Sequence, residues 1–478
     1  MKLSALALLS LAAGTQATHE YRAHHAKRQA PGSPNAPVST ITTAASTAHS
    51  SNAGPSAVNP SSTTGTGSAA TNKPTPTGPP LYPIPPPQGN VPPLSKITSG
   101  MPSVATQPVP TTYKPGASAP IEGAPPLPTA FVFRQADWPP QDTIPDTNSP
   151  EVQAWMKELD GIDIPNYKPT VDGSCGGDPA AAADAQNRGW WTCGGWTRDT
   201  DVTACPDKYT WGVSFDDGPG FYTQQLLSYL DEKDIKATFF VVGSRVIERP
   251  NVLIEEYMGG NEISVHTWSH KHLTSLTNEQ IVAELGWTRK AIKDVLGVTP
   301  TTMRPPFGDI DDRVRAISLA MGMVPVIWTR TPSAGQFDTN DWKVAGGVVT
   351  GIDSFNSFQG ILGNASIIDT GFIVLQHDLY DITVELATGY TLNAAQTHNP
   401  PFTLKPIGQC MSIPSSDMYR ESNTNKTFPA KPVSDDAVSG HNAGGGSSSA
   451  SLNAAATGTL PGLAVLLSFT IVLVQALF

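Results

Sequence analysis

Between residues 205 and 410 short apolar runs alternate with longer stretches of helical pattern. The runs Tyr209–Phe215, Ala237–Val242, Glu262–Val265, Met323–Trp328 and Phe372–Leu375 predict strands. Tyr222–Lys233, Asn278–Leu296 and Asp311–Met321 predict helices, and Thr277 followed by Asn278-Glu279-Gln280 supplies a capping box for the second. Strands that alternate with helices predict a parallel sheet. A stretch of about 200 residues suits one barrel-like α/β domain, smaller than a complete eightfold barrel, with chemistry at the C-terminal ends of its strands. Order is expected from near Phe131, and Pro150–Leu159 carries a short helical pattern.

Outside that region the pattern changes. Residues 1–17 read as a secretory signal: Lys2 is the only charge, Leu3–Ala13 is apolar, and Thr15-Gln16-Ala17 offers small residues for cleavage. Lys27-Arg28 is either a processing site or a solvated charge pair. Residues 18–128 are dominated by Pro, Ser, Thr, Ala and Gly, and hold too little apolar surface to offset the entropy of ordering. They are expected to form a disordered, O-glycosylated stalk. Residues 129–204 are read as an extension packed on the barrel, 205–415 as the catalytic domain and 416–459 as a flexible linker. The apolar, uncharged Leu460–Phe478 follows the small polar run Gly440–Ser449, the pattern of a GPI-anchor signal with attachment within Asn442–Ser449. A membrane helix is the alternative at about 20 apolar residues, but no basic residues follow it. The chain is therefore expected outside the cell, tethered to the plasma membrane or cell wall.

Charge narrows the partners. Thirty Lys and Arg against 41 Asp and Glu give a net charge of −11. That excludes nucleic acid as a partner and disfavours a polyanion, because phosphate binding needs a basic surface. A neutral substrate fits, and the oligomeric state stays open. Four cysteines allow three pairings. Cys205 with Cys410 is preferred because they bracket the catalytic domain, and Cys175 with Cys193 as a local staple. No CxxC pair is present, which argues against zinc ligation by cysteine. Asn364-Ala365-Ser366 and Asn425-Lys426-Thr427 are N-glycosylation acceptors. The Trp-rich stretch Gly189–Trp196 can stack on sugar or pack against the barrel, and packing is the expectation.

The chemistry-bearing residues sit between the predicted elements. Asp216-Asp217-Gly218-Pro219 ends the first strand, where adjacent acids can take different roles: one binds a metal, the other touches water on it. Taken alone it is also an ordinary turn sequence. His266 and His270, four apart after Glu262–Val265, can meet one metal if the strand ends and the chain turns into a helical loop. Two His and one Asp leave a position open for water and favour zinc, with cobalt or another transition metal as the alternative. Arg304-Pro305-Pro306-Phe307-Gly308 is a stiff loop that aims a guanidinium, which orients a neighbouring carboxylate and lowers its pKa. Asp338-Thr339-Asn340-Asp341-Trp342 offers carboxylates to orient a histidine and an indole wall. His377, ending the apolar run through Leu375, suits a general acid.

Taken in order, these five elements resemble the NodB-homology polysaccharide deacetylases, carbohydrate esterase family 4, across roughly residues 211–379. With the export features and the stalk, the chain resembles that family's GPI-anchored fungal chitin deacetylases. The resemblance implies a distorted, incomplete (β/α) barrel. It implies that Asp217, His266 and His270 hold a divalent metal, zinc or cobalt, and that Asp216 is the general base paired with Arg304. It also implies that the Phe307 N–H stabilises the oxyanion, that His377 protonates the leaving amine, and that Asp338 or Asp341 tunes His377. Trp342 and Leu375 would wall the pocket around the acetyl methyl. The family more often has Tyr where Phe307 stands, but only the backbone donor is needed. The expected reaction is N-deacetylation of N-acetylglucosamine units in chitin. The alternatives are another acetylated polysaccharide such as acetylxylan, or a catalytically silent wall-anchored carbohydrate-binding protein.

Overall fold

The computed structural model describes residues 81–109, 113–332 and 335–429. The expected signal, the first part of the stalk and the GPI tail lie outside these residues. Among the described residues no helix is long and apolar enough to cross a membrane.

The run expected as one strand at Tyr209–Phe215 forms two, β1 (Thr210–Gly212) and β2 (Ser214–Asp216). Between them Val213 donates its N–H to Lys405 and accepts from the Thr238 N–H, so one extended segment changes partners at that residue. Strands β3 (Thr238–Val241), β4 (Glu262–Val265), β5 (Thr302–Met303) and β6 (Val324–Pro325) follow β2 in a five-stranded parallel sheet in that order. A hairpin of β7 (Arg330–Thr331) and β8 (Gly335–Gln336) stands apart from it. Strands β9 (Phe372–Ile373) and β10 (Thr403–Lys405) flank β1 in a second parallel sheet. Single bridges, Asp216 with His377, Asp338 with Leu375 and Val202 with Val326, link the segments into a broken barrel. Phe215, Phe239, Phe240, Val241, Ile263 and Val265 are fully buried. Such unbroken apolar runs are what a parallel sheet covered on both faces requires.

Helices α1 (Pro150–Trp155), α2 (Thr223–Glu232), α3 (Gly243–Glu248), α4 (Pro250–Met258), α5 (Asn278–Leu296) and α6 (Asp312–Ala320) cover the first half. The capping box of α5 forms as the sequence predicts, with Thr277 and Gln280 exchanging side-chain and backbone bonds. Five of the helices named here escape the sequence reading: α3 and α4, and the later α7 (Asp341–Ala345), α8 (Gly351–Ile367) and α9 (Asp381–Leu386). Thr350 caps α8 reciprocally with Asp353, so a Thr-x-x-Asp start signal was present. Disulfides join Cys205 to Cys410 and Cys175 to Cys193.

Two expectations need correction. The linker is expected from residue 416, yet Met418 and Tyr419 are buried in the main core and the Thr301 N–H donates to the Met418 carbonyl, so the folded domain runs past 415. Residues 81–109 and 113–128 were assigned to the stalk, yet they are laid against the domain. Leu94 and Ile97 are buried with Val344, Ile352 and Phe355, and the Gly351 N–H donates to the Ile97 carbonyl. Leu127 enters the main core. Composition averages over such sparse apolar anchors. Grooves on the folded domain receive them, and the tertiary contacts offset the ordering entropy that the segment cannot offset alone.

Candidate active site

Asp216 ends β2, and Asp217 turns out of the strand at φ 79°. Its carbonyl accepts from the buried Arg245 guanidinium at 2.9 Å. His266 follows β4 directly, and its N–H donates to Val241 on β3. His270 is reached through a loop rather than a helical turn, because Thr267 (φ 67°) and His270 (φ 55°) both adopt left-handed backbone. Glu284 of α5 shapes that loop by accepting the Trp268 and Ser269 N–H groups at 2.8 Å each, together with the Ser269 hydroxyl.

Asp217, His266 and His270 converge, with one donor atom from each inside 4.8 Å of the others. The Asp217 Oδ1 lies 3.0 Å from His270 Nε2 and 3.4 Å from His266 Nε2. Ligand atoms at about 2.0–2.2 Å from a tetrahedral zinc stand roughly 3.3–3.6 Å apart, so the set is of the size such an ion needs. His266 Nδ1 is 2.8 Å from the Arg304 carbonyl, which fixes the tautomer that turns Nε2 toward the ion. Burial pushes His270 down to about 4, against the pull of Asp217, so its imidazole is neutral and ready to ligate. Burial alone would raise Asp217, but His270 and His266 outweigh it and hold the carboxyl well below the usual range.

Asp216 stands beside this cluster, its Oδ2 3.9 Å from His266 Nε2. Arg304 is fully buried and donates to Asp216 Oδ1 at 2.6 Å and to Ser214 Oγ at 3.0 Å. The guanidinium also lies 3.9 Å over the Phe240 ring.

His377 faces the same space from the neighbouring chain segment. Its Nδ1 is 2.7 Å from Asp341 Oδ1, and its N–H donates to Asp341 Oδ2 at 2.8 Å. The sequence left two acids as partners, and the structure selects Asp341. Asp338 instead accepts the Asn340 N–H at 2.7 Å and the Trp342 indole N–H at 3.4 Å. Burial opposes a charged imidazolium at His377, yet Asp341, then Asp217 and Asp216, outweigh it and push the histidine up to about 10. In the role the sequence implies for it, a general acid that works only while protonated, His377 is expected to lose its contribution as pH rises through its pKa. Removing Asp341 removes the largest raising cause. Asp341→Asn is therefore expected to move the alkaline limb of the rate profile down by about 1–3 pH units. An unmoved limb in the measured kcat profile would show that Asp341 does not tune the acid.

Asp216, His266, His270, Asp338 and His377 line a cavity of about 250 Å³, whose walls include Phe307, Trp342 and Leu375. Three further wall residues, Trp328, Gln336 and Lys343, were missed by the sequence reading. Gln336 sits on β8 and accepts the Trp328 indole N–H at 3.0 Å. No motif marks it, because a two-residue strand carries no readable period. A larger groove of about 930 Å³ runs between residues 128–140 and α5, and holds none of the motif residues.

Backbone strain gathers here. Among the described residues nine non-glycine residues have positive φ, and Asp217, Thr267, His270, Phe307 and Asn340 are five of them. Each costs about 1–2 kcal/mol in the left-handed helical region and persists where the surroundings over-determine it. Trp190 and Trp191 are buried, so these tryptophans of the Gly189–Trp196 stretch pack behind the site. Asn425 is exposed, and Thr427 donates through N–H (2.9 Å) and hydroxyl (2.8 Å) to its side-chain oxygen. Asn364 is half-buried within α8.

A sequence-family description, polysaccharide deacetylase, matches residues 203–326. Chitin deacetylase 1 of Cryptococcus neoformans var. grubii is 51% identical over 342 residues, covering 71% of this chain and 72% of that protein. Chitin deacetylase 2 of the same fungus is 34% identical over 307 residues, covering 61% of this chain and 63% of that protein, just under two thirds of its length. The solved chitin deacetylase of Colletotrichum lindemuthianum aligns with a TM-score of 0.40 at 21% identity, over 48% of this chain and 100% of that one.

Proposed function

This chain belongs to the polysaccharide deacetylase family, and from that premise we propose that it removes N-acetyl groups from N-acetylglucosamine residues of chitin, leaving chitosan and acetate. One observation carries the reading: a buried acid paired to arginine and a buried histidine paired to Asp341 stand on adjoining segments around a three-ligand ion site.

A divalent cation held by Asp217, His266 and His270 supplies Lewis acidity, which makes water more acidic and polarises an amide carbonyl. Two imidazoles and a carboxylate suit zinc, with cobalt as the next candidate. Asp216 takes the proton from the attacking water, and Arg304 keeps its carboxylate aimed. The Phe307 N–H donates to the carbonyl oxygen as it gains charge. His377 gives a proton to the departing nitrogen as the C–N bond breaks, so acetate and a free amine leave. Trp342 and Leu375 enclose the acetyl methyl, while the neutral polymer lies along an acidic protein that offers it no ionic grip.

The paired cysteines and the exposed Asn425 sequon support placing this reaction outside the cell. The deciding experiment is acetate release from a panel of chitin oligomers, acetylxylan and mixed acetylated wall glycans. Chitin oligomers are expected to be the best substrates. Release from acetylxylan alone would move the activity to another polymer, and no release from any glycan would leave only a binding protein.

A further inference from the structure

Phe307 holds a backbone conformation that its own residue type disfavours. A bulky non-glycine residue at φ 60°, ψ 7° is strained, and strain of this kind survives only when neighbours impose it. His272 lies flat on the Phe307 ring, with centroids 3.9 Å apart and planes 11° apart. The metal ligand His270 meets the same ring edge-on at 4.7 Å. Among the described residues no backbone carbonyl accepts the Phe307 N–H.

His272 is itself held in place by the N-terminal extension. A Cβ on Gly173 would stand 2.5 Å from His272 ring atoms, so that loop closes tightly over the imidazole. The Thr170 N–H donates to the Thr274 carbonyl at 2.9 Å, and the two threonine hydroxyls are 2.9 Å apart. Beneath them the fully buried Asp309 accepts the Trp190 indole N–H and the Thr192 hydroxyl at 2.7 Å on one oxygen. Its other oxygen accepts the Thr274 N–H at 3.0 Å and the Thr274 hydroxyl at 2.7 Å. The extension, the loop after His270 and the loop bearing Phe307 are thus tied into one unit.

We propose that His272 is a positioning residue: its ring, stacked on Phe307, holds the left-handed backbone that presents the Phe307 N–H to the oxygen gaining charge. This rests on the deacetylase reading of that N–H. An aromatic stack and a strained non-glycine residue are of the same order in energy, so losing the stack is enough to let the backbone relax. His272 Nδ1 also lies 3.6 Å from Asp309 Oδ2, but the stack uses only the flat ring face, so phenylalanine should replace the histidine.

The test compares His272→Ala and His272→Phe with the parent, in kcat and KM for acetate release from chitin oligomers and in crystal structures of both variants. His272 is 31% exposed at its side chain, so both variants are expected to fold. His272→Ala is expected to lower kcat about tenfold, less than the 10²–10³-fold loss of a whole oxyanion donor. KM should stay within about twofold, and Phe307 should leave positive φ. His272→Phe is expected to keep kcat within about threefold of the parent and to keep the backbone, as a flat ring preserves the stack. An alanine variant with parental kcat and unchanged Phe307 overturns the proposal, as does a phenylalanine variant as impaired as alanine. If the parent releases no acetate from any glycan, the deacetylase reading fails by itself. The Phe307 backbone in the two variants then still decides whether His272 holds it.

Discussion

Asp216→Asn is expected to lower acetate release from chitin oligomers by about 10³-fold, the scale of a positioned general base. The amide is nearly isosteric and its oxygen can still accept from Arg304 Nη1, now at 2.6 Å from the carboxylate. It has no basic lone pair with which to take a proton from water. The cavity walls Trp342 and Leu375 are untouched, so oligomer affinity should stay within about threefold, as for an interaction used only in the transition state. One side effect must be measured with it. Arg304 is fully buried, and its main anionic partner would be gone. Breaking a buried pair by removing one partner costs about 3–5 kcal/mol, and the retained hydrogen bond should keep the loss below that. Tm therefore belongs beside kcat. A folded variant that keeps more than about a tenth of parental activity would falsify the assignment of Asp216 as base, given the 10²–10⁴-fold worth of such groups.

His270→Ala, or chelation of the parent, is expected to abolish activity by about 10³-fold or more. A bound cation of this class can bring the pKa of water down to about 7, and no other group in the site replaces that effect. Among the described residues the ion is offered one carboxylate and two imidazoles inside 4.8 Å, so losing an imidazole leaves two ligands. Two ligands make a poor site for zinc, whose catalytic sites use three protein donors. Metal content by mass spectrometry should fall together with rate. Adding zinc or cobalt to the chelated parent should restore acetate release, and adding it to His270→Ala should not. Full activity of metal-stripped parent protein would sink the three-ligand site as the source of catalysis. Activity restored by one ion and not the other would settle the metal.

Much of this site is legible in the chain because its chemistry is local. Asp216-Asp217, His266 with His270, and Arg304-Pro305-Pro306-Phe307 each sit at the end of a strand. The first two strand ends can be read from apolar runs that stop at polar residues, whereas the two-residue β5 before Arg304 carries no such run and that motif is legible only from its Pro-Pro loop. The capping box at Thr277 is legible for the same reason: residue type and spacing carry the information. The cysteine pairing is only a preference among three possibilities in the sequence, and the structure decides it. Residues 81–109 and 113–128 escape the reading because a handful of apolar anchors do not register in a composition dominated by proline and serine.

The sequence by itself determined which side chains are present for chemistry and the order in which the strands deliver them. Only the tertiary structure decided who pairs with whom. Arg304 reaches Asp216 across 88 residues, and His377 chooses Asp341 over Asp338 across 36. It also decided that Gln336, Lys343 and Trp328 line the cavity, and that Phe307 is forced to positive φ beneath His272. The physical reason is range. Periodicity and capping act within a few residues along the chain, whereas partner choice and backbone strain come from which strand ends the barrel brings within a few ångströms of each other.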